Sequence, residues 1–210
     1  MGYWKFDDGS GTTAADSSGN GNTGTLNGPT WTTGHINGAL SFDGLDDRVT
    51  IGGANMIFGA SSLSAFVWVN SSDTSAQQAR IVGKDFGSAY VWLNFGNGTP
   101  YLEAKDSALQ WWTVHASTDV KIADNQWHFV GFVIDRAAGQ SRIYIDGVLK
   151  GSQNVTSNGI FGDSTATNPF MIGSQTSASS VSLNGVLDEV RLYNHALSDA
   201  DVQALYQSTP

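Results

Sequence analysis

Apolar and polar side chains alternate with period two along most of this chain, the signature of strands buried on one face. Tyr3-Trp-Lys-Phe-Asp7 opens the pattern with Trp4 and Phe6 on one side. Leu63 to Val69 continues it, carrying Phe66 and Trp68. Tyr90 to Phe95 alternates cleanly: Val91, Leu93 and Phe95 face one way, Tyr90, Trp92 and Asn94 the other. Tyr101 to Lys105 sets Tyr101, Glu103 and Lys105 on its polar side. Trp111 to Ala116 sets Trp112, Val114 and Ala116 inward and Trp111, Thr113 and His115 outward. Trp127 to Ile134 is apolar at nearly every position, which predicts a central strand covered on both faces. Asp8 to Gly28 reads as turn chemistry, Asp43-Gly44 and Asp146-Gly147 as tight turns, and Lys84-Asp-Phe86 as a loop. The one helix signal is C-terminal, where Ser198-Asp-Ala-Asp201 forms a capping box ahead of an apolar stripe of Val202, Leu205 and Tyr206. Closely spaced strands without helical crossovers predict an all-β, two-sheet antiparallel β-sandwich with a short C-terminal helix. No linker or repeat divides it, so residues 1–210 form a single domain.

The last strand, Gly185 to Tyr193, contains a carboxylate that the alternation places on the greasy face, with Val186, Asp188, Val190 and Leu192 together. A buried, unpaired carboxylate costs several kcal/mol, so Asp188 needs a cation or hydrogen-bond donors. Near the other end, Asp16-Ser-Ser-Gly-Asn-Gly-Asn22 offers oxygen donors at every second position between glycines. A hard metal ion shared by loop and strand would satisfy Asp188; the alternative is an ion-free network of Asx turns.

Composition sharpens this picture. The formal net charge of −9 and the lack of any Lys/Arg cluster argue against nucleic acid or anionic membrane as partner. With no cysteine, disulfides, thiolate metal sites and thiol catalysis are excluded. No apolar run reaches the ~20 residues that a membrane-spanning helix needs.

The motifs together resemble the laminin-G-like, concanavalin A-like jelly-roll domains of bacterial secreted proteins. The matching stretches are Tyr3 to Thr12, Ala15 to Asn22, Leu40-Ser-Phe-Asp-Gly44, Gln126-Trp-His128, Ile143-Tyr-Ile-Asp-Gly147 and Leu187 to Asn194, in the family's order over nearly the whole chain. The resemblance implies a structural calcium ion between the N-terminal loop and the aspartate of the terminal strand. At matching positions its ligands are Asp16, Asn22 and Asp188, with backbone carbonyls near Asn20. It also implies an extracellular or cell-surface location; the chain itself reads as a module of a longer protein, tethered to other domains, and is expected to be monomeric.

If the three middle strands pair in order, their outward faces form one patch: Tyr90, Trp92, Asn94, Tyr101, Glu103, Trp111 and His115, with Lys105 and Thr113 among them. Flat rings between polar tips are what a saccharide surface needs. The alternative is that Trp92 and Trp111 pack under loops. Trp4, Phe6, Phe42, Phe66 and Trp127 are assigned to the core. Glycosidases need two carboxyls ~5–10 Å apart. Here the sole glutamates are Glu103 and Glu189, and Glu103 with Asp106 or His115 is the only pairing suited to acid–base work. Arg80, Tyr101 and His115 faintly echo the clusters of polysaccharide lyases. The expected function is a non-catalytic, calcium-stabilised carbohydrate-binding module. A protein-interaction or adhesion domain is the alternative, and a polysaccharide lyase or glycoside hydrolase the third.

Overall fold

The computed structural model describes residues 1–52, 56, 58–75, 78–117, 119–155, 159, 161, 168–175 and 181–208. Among these, two eight-stranded antiparallel sheets stack into a sandwich. The first contains β1 (Gly2–Trp4), β4 (Thr30–Thr33), β5 (Gly38–Asp43), β7 (Leu63–Asn70), β12 (Trp127–Asp135), β13 (Gln140–Ile145), β14 (Val148–Asn154) and β16 (Asn184–Tyr193). The second contains β2 (Thr13–Ala14), β3 (Gly24–Asn27), β6 (Arg48–Ile51), β8 (Ala79–Phe86), β9 (Ala89–Gly96), β10 (Thr99–Lys105), β11 (Trp111–His115) and β15 (Phe170–Ile172). A helix, α1 (Asp199–Gln207), follows the last strand.

The alternation decides the core. Inward residues such as Leu40, Val67, Leu93, Leu102, Val114, Val130, Phe132 and Leu192 fill the space between the sheets. The central strand β12 is covered on both faces as its composition requires. Its other face, Phe129 and Val133, joins Phe66, Trp68 and Tyr144 under α1. Val202 is buried there, with Leu205 and Tyr206 packed alongside. The capping box forms as read: the Ser198 hydroxyl accepts from the Asp201 amide, and the Asp201 carboxylate accepts from the Ser198 amide. Phe66 is thus core to the outer layer, and Trp127 is half-buried at its margin.

Lys84 departs from expectation. The segment read as a loop is the end of β8, and Lys84, opposite Val91 and Phe170, points into the sandwich with no exposed surface. Its ammonium donates to the Met56 carbonyl at 2.8 Å, and burial pushes its pKa down to about 8.

Two separated motifs meet at His128. Its Nδ1 lies 2.8 Å from Asp146 and its Nε2 3.2 Å from Asp124. The Asp146 contact raises its pKa above the ordinary histidine value. A raised histidine pKa stabilises the fold fully below about pH 6.5, and the contribution is lost as pH rises through the folded value. We expect stability to fall as the pH rises across that window. Denaturant melts of His128→Gln between pH 6 and 9 check this, since that variant should lack the slope.

Candidate functional site

The middle strands pair in the order β8–β9–β10–β11, and their registers assemble the patch row by row. Arg80 lies opposite Asn94, Asn94 opposite Tyr101, and Tyr101 opposite His115. Trp92, Glu103 and Thr113 form the next row, and Tyr90, Lys105 and Trp111 the one after. All therefore share the outer face of the second sheet.

Only part of that face is open. A groove of about 430 Å³ is lined by Tyr101, Glu103, Trp111, Thr113, His115 and Lys121, with Gln78, Asn97 and Thr99 at one end. Trp111 is 61% exposed. Trp92 is on the predicted face but is 1% exposed, and Asn94 is fully buried. The Trp92 indole donates to Asp85 at 2.8 Å and lies under the Arg80 guanidinium, while Gln175 binds the other oxygen of Asp85. Gly83, the cross-strand partner of Trp92, makes room for the ring, since a Cβ there would come within 2.6 Å of it. Outward orientation does not guarantee exposure, because Gln175 bonds Asp85 and the Val181 carbonyl accepts from the Arg80 amide at this part of the sheet.

Glu103 is the hub of the open half. It accepts from Arg80 at 3.1 Å, from the Tyr90 hydroxyl at 2.9 Å and from the Trp111 indole at 3.4 Å. Asp106 does not join it: this carboxylate is buried in the turn after β10, where it accepts from the amides of Ala108 and Gln110. Tyr101 stacks on His115 with ring centroids 5.1 Å apart. Burial pushes the Tyr101 phenol up to about 12, so it remains a hydrogen-bond donor at neutral pH.

The proposed metal ligands fall in two places. Asp16 Oδ1 accepts from the amides of Tyr3 and Ser18, and Oδ2 from the amide of Asn22. Asn22 and Asn20 both reach the Met1 carbonyl. The loop thus clasps the N-terminal strand: Trp4 bridges to Asp16, and the Trp4 indole donates to the Asn22 carbonyl. On its other edge Trp4 pairs with Val190, so β1 stands between the loop and β16. Two strand spacings, ~9.6 Å, separate them, and the structure does not bring Asp16, Asn20 and Asn22 together with Asp188.

Asp188 is also not on the inner face. A bulge at Glu189, whose φ is +54°, breaks the alternation of β16. Leu187, Val190 and Leu192 face the core, whereas Asp188 lies opposite Trp68 on the outer side. Glu189 bonds Arg191 at 2.6 Å and the Tyr3 hydroxyl.

Asp188 sits where the edge of β16 passes from pairing with β5 to pairing with β1. It is fully buried, and burial pushes its carboxyl up to about 7. Oδ2 accepts from the Ile36 amide at 2.9 Å, while Oδ1 has no hydrogen-bond partner among the described residues. The surroundings are rich in oxygen. A Cβ on Gly34 would lie 2.6 Å from Asp188 Oδ2 and 2.3 Å from the Gly38 carbonyl, and one on Gly38 would lie 2.5 Å from the Phe6 carbonyl. Asp7 is at the same corner, accepting from the Gly38 amide. Sequence reasoning missed Asp7 and the Gly34–Gly38 turn; the signal for them was the pair of glycines four residues apart.

A family profile described as concanavalin A-like lectin/glucanases superfamily, Laminin G 3, matches residues 42–203. The chain belongs to this family. A search of curated protein sequences gave no match. Among solved structures, this laminin-G-type chain is similar to domain 4 of AbnA, a GH43 extracellular arabinanase from Geobacillus stearothermophilus, in complex with arabinotriose. Identity there is 23% and the TM-score 0.75, over 98% of this chain and 97% of that one. It is also similar to the binding domain of Paraclostridial Mosquitocidal Protein 1, at 15% identity and TM-score 0.78, over 99% of this chain and 51% of that one. The botulinum neurotoxin serotype G binding domain matches at 15% and 0.76, over 99% and 50%. The laminin-G-type chain thus spans about half the length of these toxin domains. At such identities the likeness concerns the fold. Among the described residues, no helix is long and apolar enough to cross a membrane.

Proposed function

We propose that this domain is a non-catalytic carbohydrate-binding module of a secreted or surface protein, and that its binding site is the Trp111 groove. The observation that carries this reading is Trp111, 61% exposed and hydrogen-bonded to Glu103, lining a cleft that also presents Thr113, His115 and Lys121. Sugars present apolar ring faces to such a platform and hydroxyls to the groups beside it. Two further points support it. Among the described lining residues Glu103 is the only carboxylate, whereas glycoside hydrolysis uses two. In addition, AbnA domain 4, whose fold this chain shares, was solved with arabinotriose. Similarity to toxin binding domains supports a second reading, recognition of a cell-surface receptor through the same fold.

The proposal includes a structural calcium ion at Asp188 rather than in the Asp16 loop. The donors there fit: a buried carboxylate oxygen without a partner, a second carboxylate at Asp7, and the carbonyls of Gly38 and Phe6. Hard cations take such oxygen sets. When bound, the ion would supply positive charge to a buried carboxylate, and Asp16, Asn20 and Asn22 would serve the loop clasp instead.

A glycan array tests the binding reading. We expect a specific hit whose affinity drops on the order of thirtyfold in Trp111→Ala, the loss of a contact worth about 2 kcal/mol. A silent array, or a hit indifferent to Trp111→Ala, overturns it.

A further inference from the structure

We propose that Glu103 is a positioning residue that holds the Trp111 ring in one rotamer before any sugar arrives, and that Arg80 and Tyr90 in turn hold Glu103; this rests on the binding reading above. Trp111 is on β11, the edge strand of the second sheet, and is 61% exposed. A ring so placed has few neighbours to lock its two side-chain torsions. Ordering such a side chain on binding costs about two- to tenfold in affinity. The Trp111 indole nitrogen donates to Glu103 at 3.4 Å across the β10–β11 pair. The two are diagonal neighbours there, since Glu103 lies opposite Thr113 and Lys105 opposite Trp111. The same carboxylate oxygen accepts from the Tyr90 hydroxyl at 2.9 Å, and the other oxygen accepts from Arg80 at 3.1 Å. An acceptor pinned by two further donors is itself fixed, and so it fixes the ring. Neither Arg80 nor Tyr90 is among the residues that line the groove.

A break in β8 supplies the second, independent observation. The pairing of β8 with β9 passes from Arg80–Asn94 directly to Val82–Leu93, so Ile81 is an extra residue, a bulge. Ile81 and Val82 both enter the core, and the Ile81 carbonyl accepts from the Gly173 amide at 2.8 Å. Regular alternation back from Gly83 would put Ile81 on the outer face and Arg80 in the core. The bulge reverses this and delivers the guanidinium to the outer face. There it donates to Asn94 at 2.7 Å as well as to Glu103, and lies over the Trp92 ring. Its Nε is buried without a partner among the described residues, which is costly to the fold. Bulges re-aim side chains beside functional sites, and what this one places is the charge that anchors Glu103.

The test begins with the full chain, labelled with nitrogen-15 and free of sugar. The Trp111 indole N–H signal is assigned by its loss in Trp111→Phe, and its NMR order parameter is measured. We expect a value above about 0.6 in the native chain and below it in Glu103→Ala, the boundary between held and mobile groups. Tyr90→Phe removes one hydroxyl and Arg80→Met the charge, and each should lower the value part of the way. An indole already below about 0.6 in the native chain, or one unmoved in Glu103→Ala, overturns the proposal. Affinity is then compared on immobilised arabinan, xylan and cellulose. On a polymer that retains the native chain and releases Trp111→Ala, Glu103→Ala should bind about fivefold more weakly and Tyr90→Phe about twofold. A loss confined to Glu103→Ala, with Tyr90→Phe and Arg80→Met at native affinity, makes Glu103 a sugar contact and overturns the positioning role. A silent glycan array removes the groove reading, and the order parameters still decide whether the ring is held.

Discussion

Asp188→Asn is expected to raise the melting temperature of the calcium-free protein and to abolish any further rise on adding calcium. In the absence of an ion, Asp188 is a fully buried carboxylate with one oxygen bonded to the Ile36 amide and the other without a donor. Removing such a charge while keeping the shape relieves a desolvation cost of a few kcal/mol. The asparagine oxygen can still accept from Ile36, and the neutral amide carries no buried charge. A gain of about 2 kcal/mol corresponds to roughly 5 °C for a chain of this length. The native chain should instead gain stability with calcium by mass action, relative to a chelator control. Paired thermal melts of both proteins, with calcium and with chelator, give the answer. An Asp188→Asn protein that melts lower without calcium, or that still responds to calcium, removes the ion from this corner. Asp16→Asn should leave the calcium response intact, because its oxygens serve the loop amides and Tyr3.

The second large effect is expected at Trp4. Its side chain is fully buried, stacks near Phe170 with ring centroids 5.9 Å apart, and donates from Nε1 to the Asn22 carbonyl at 2.8 Å. Its backbone pairs with Val190 on one edge and Asp16 on the other. Trp4→Ala removes a large core side chain, worth about 3–5 kcal/mol, and leaves a carbonyl without its donor. The midpoint of thermal unfolding should fall by at least about 10 °C. Trp4→Phe, which keeps most of the ring volume, should lose less than half as much. A fall of under about 1 kcal/mol in Trp4→Ala would show that the clasp contributes little.

How much of this was legible in the sequence follows from how local each cause is. Strands β7, β9, β10, β11 and β12 were readable because each buries one face or both, and the helix because its cap lies within four residues. Strands β3, β4 and β14 were not, since their side chains are largely exposed or half-buried and carry no alternation. The outer face of the second sheet was legible as a face: period two placed Tyr101, Glu103, Trp111 and His115 on it. That Trp92 lies beneath other residues depends on contacts from Asp85, Arg80 and Gln175, the last more than eighty positions away. Asp188 was legible as a buried carboxylate in need of a partner. Its direction was not, because one positive φ at Glu189 turns the strand over, and nothing in Leu-Asp-Glu-Val marks a bulge. Nor does spacing reveal that β1 intervenes between two stretches whose chemistry looks complementary.

Both chain ends belong to the same layer: β1 pairs within the first sheet, and α1 covers that sheet's outer surface. The groove opens on the opposite layer. Anything fused to either terminus, whether a neighbouring domain, a purification tag or a sensor-chip anchor, is attached at the rear of the molecule. Immobilisation through either end should therefore present the Trp111 cleft to solution in the same orientation, with no change in apparent affinity between the two geometries.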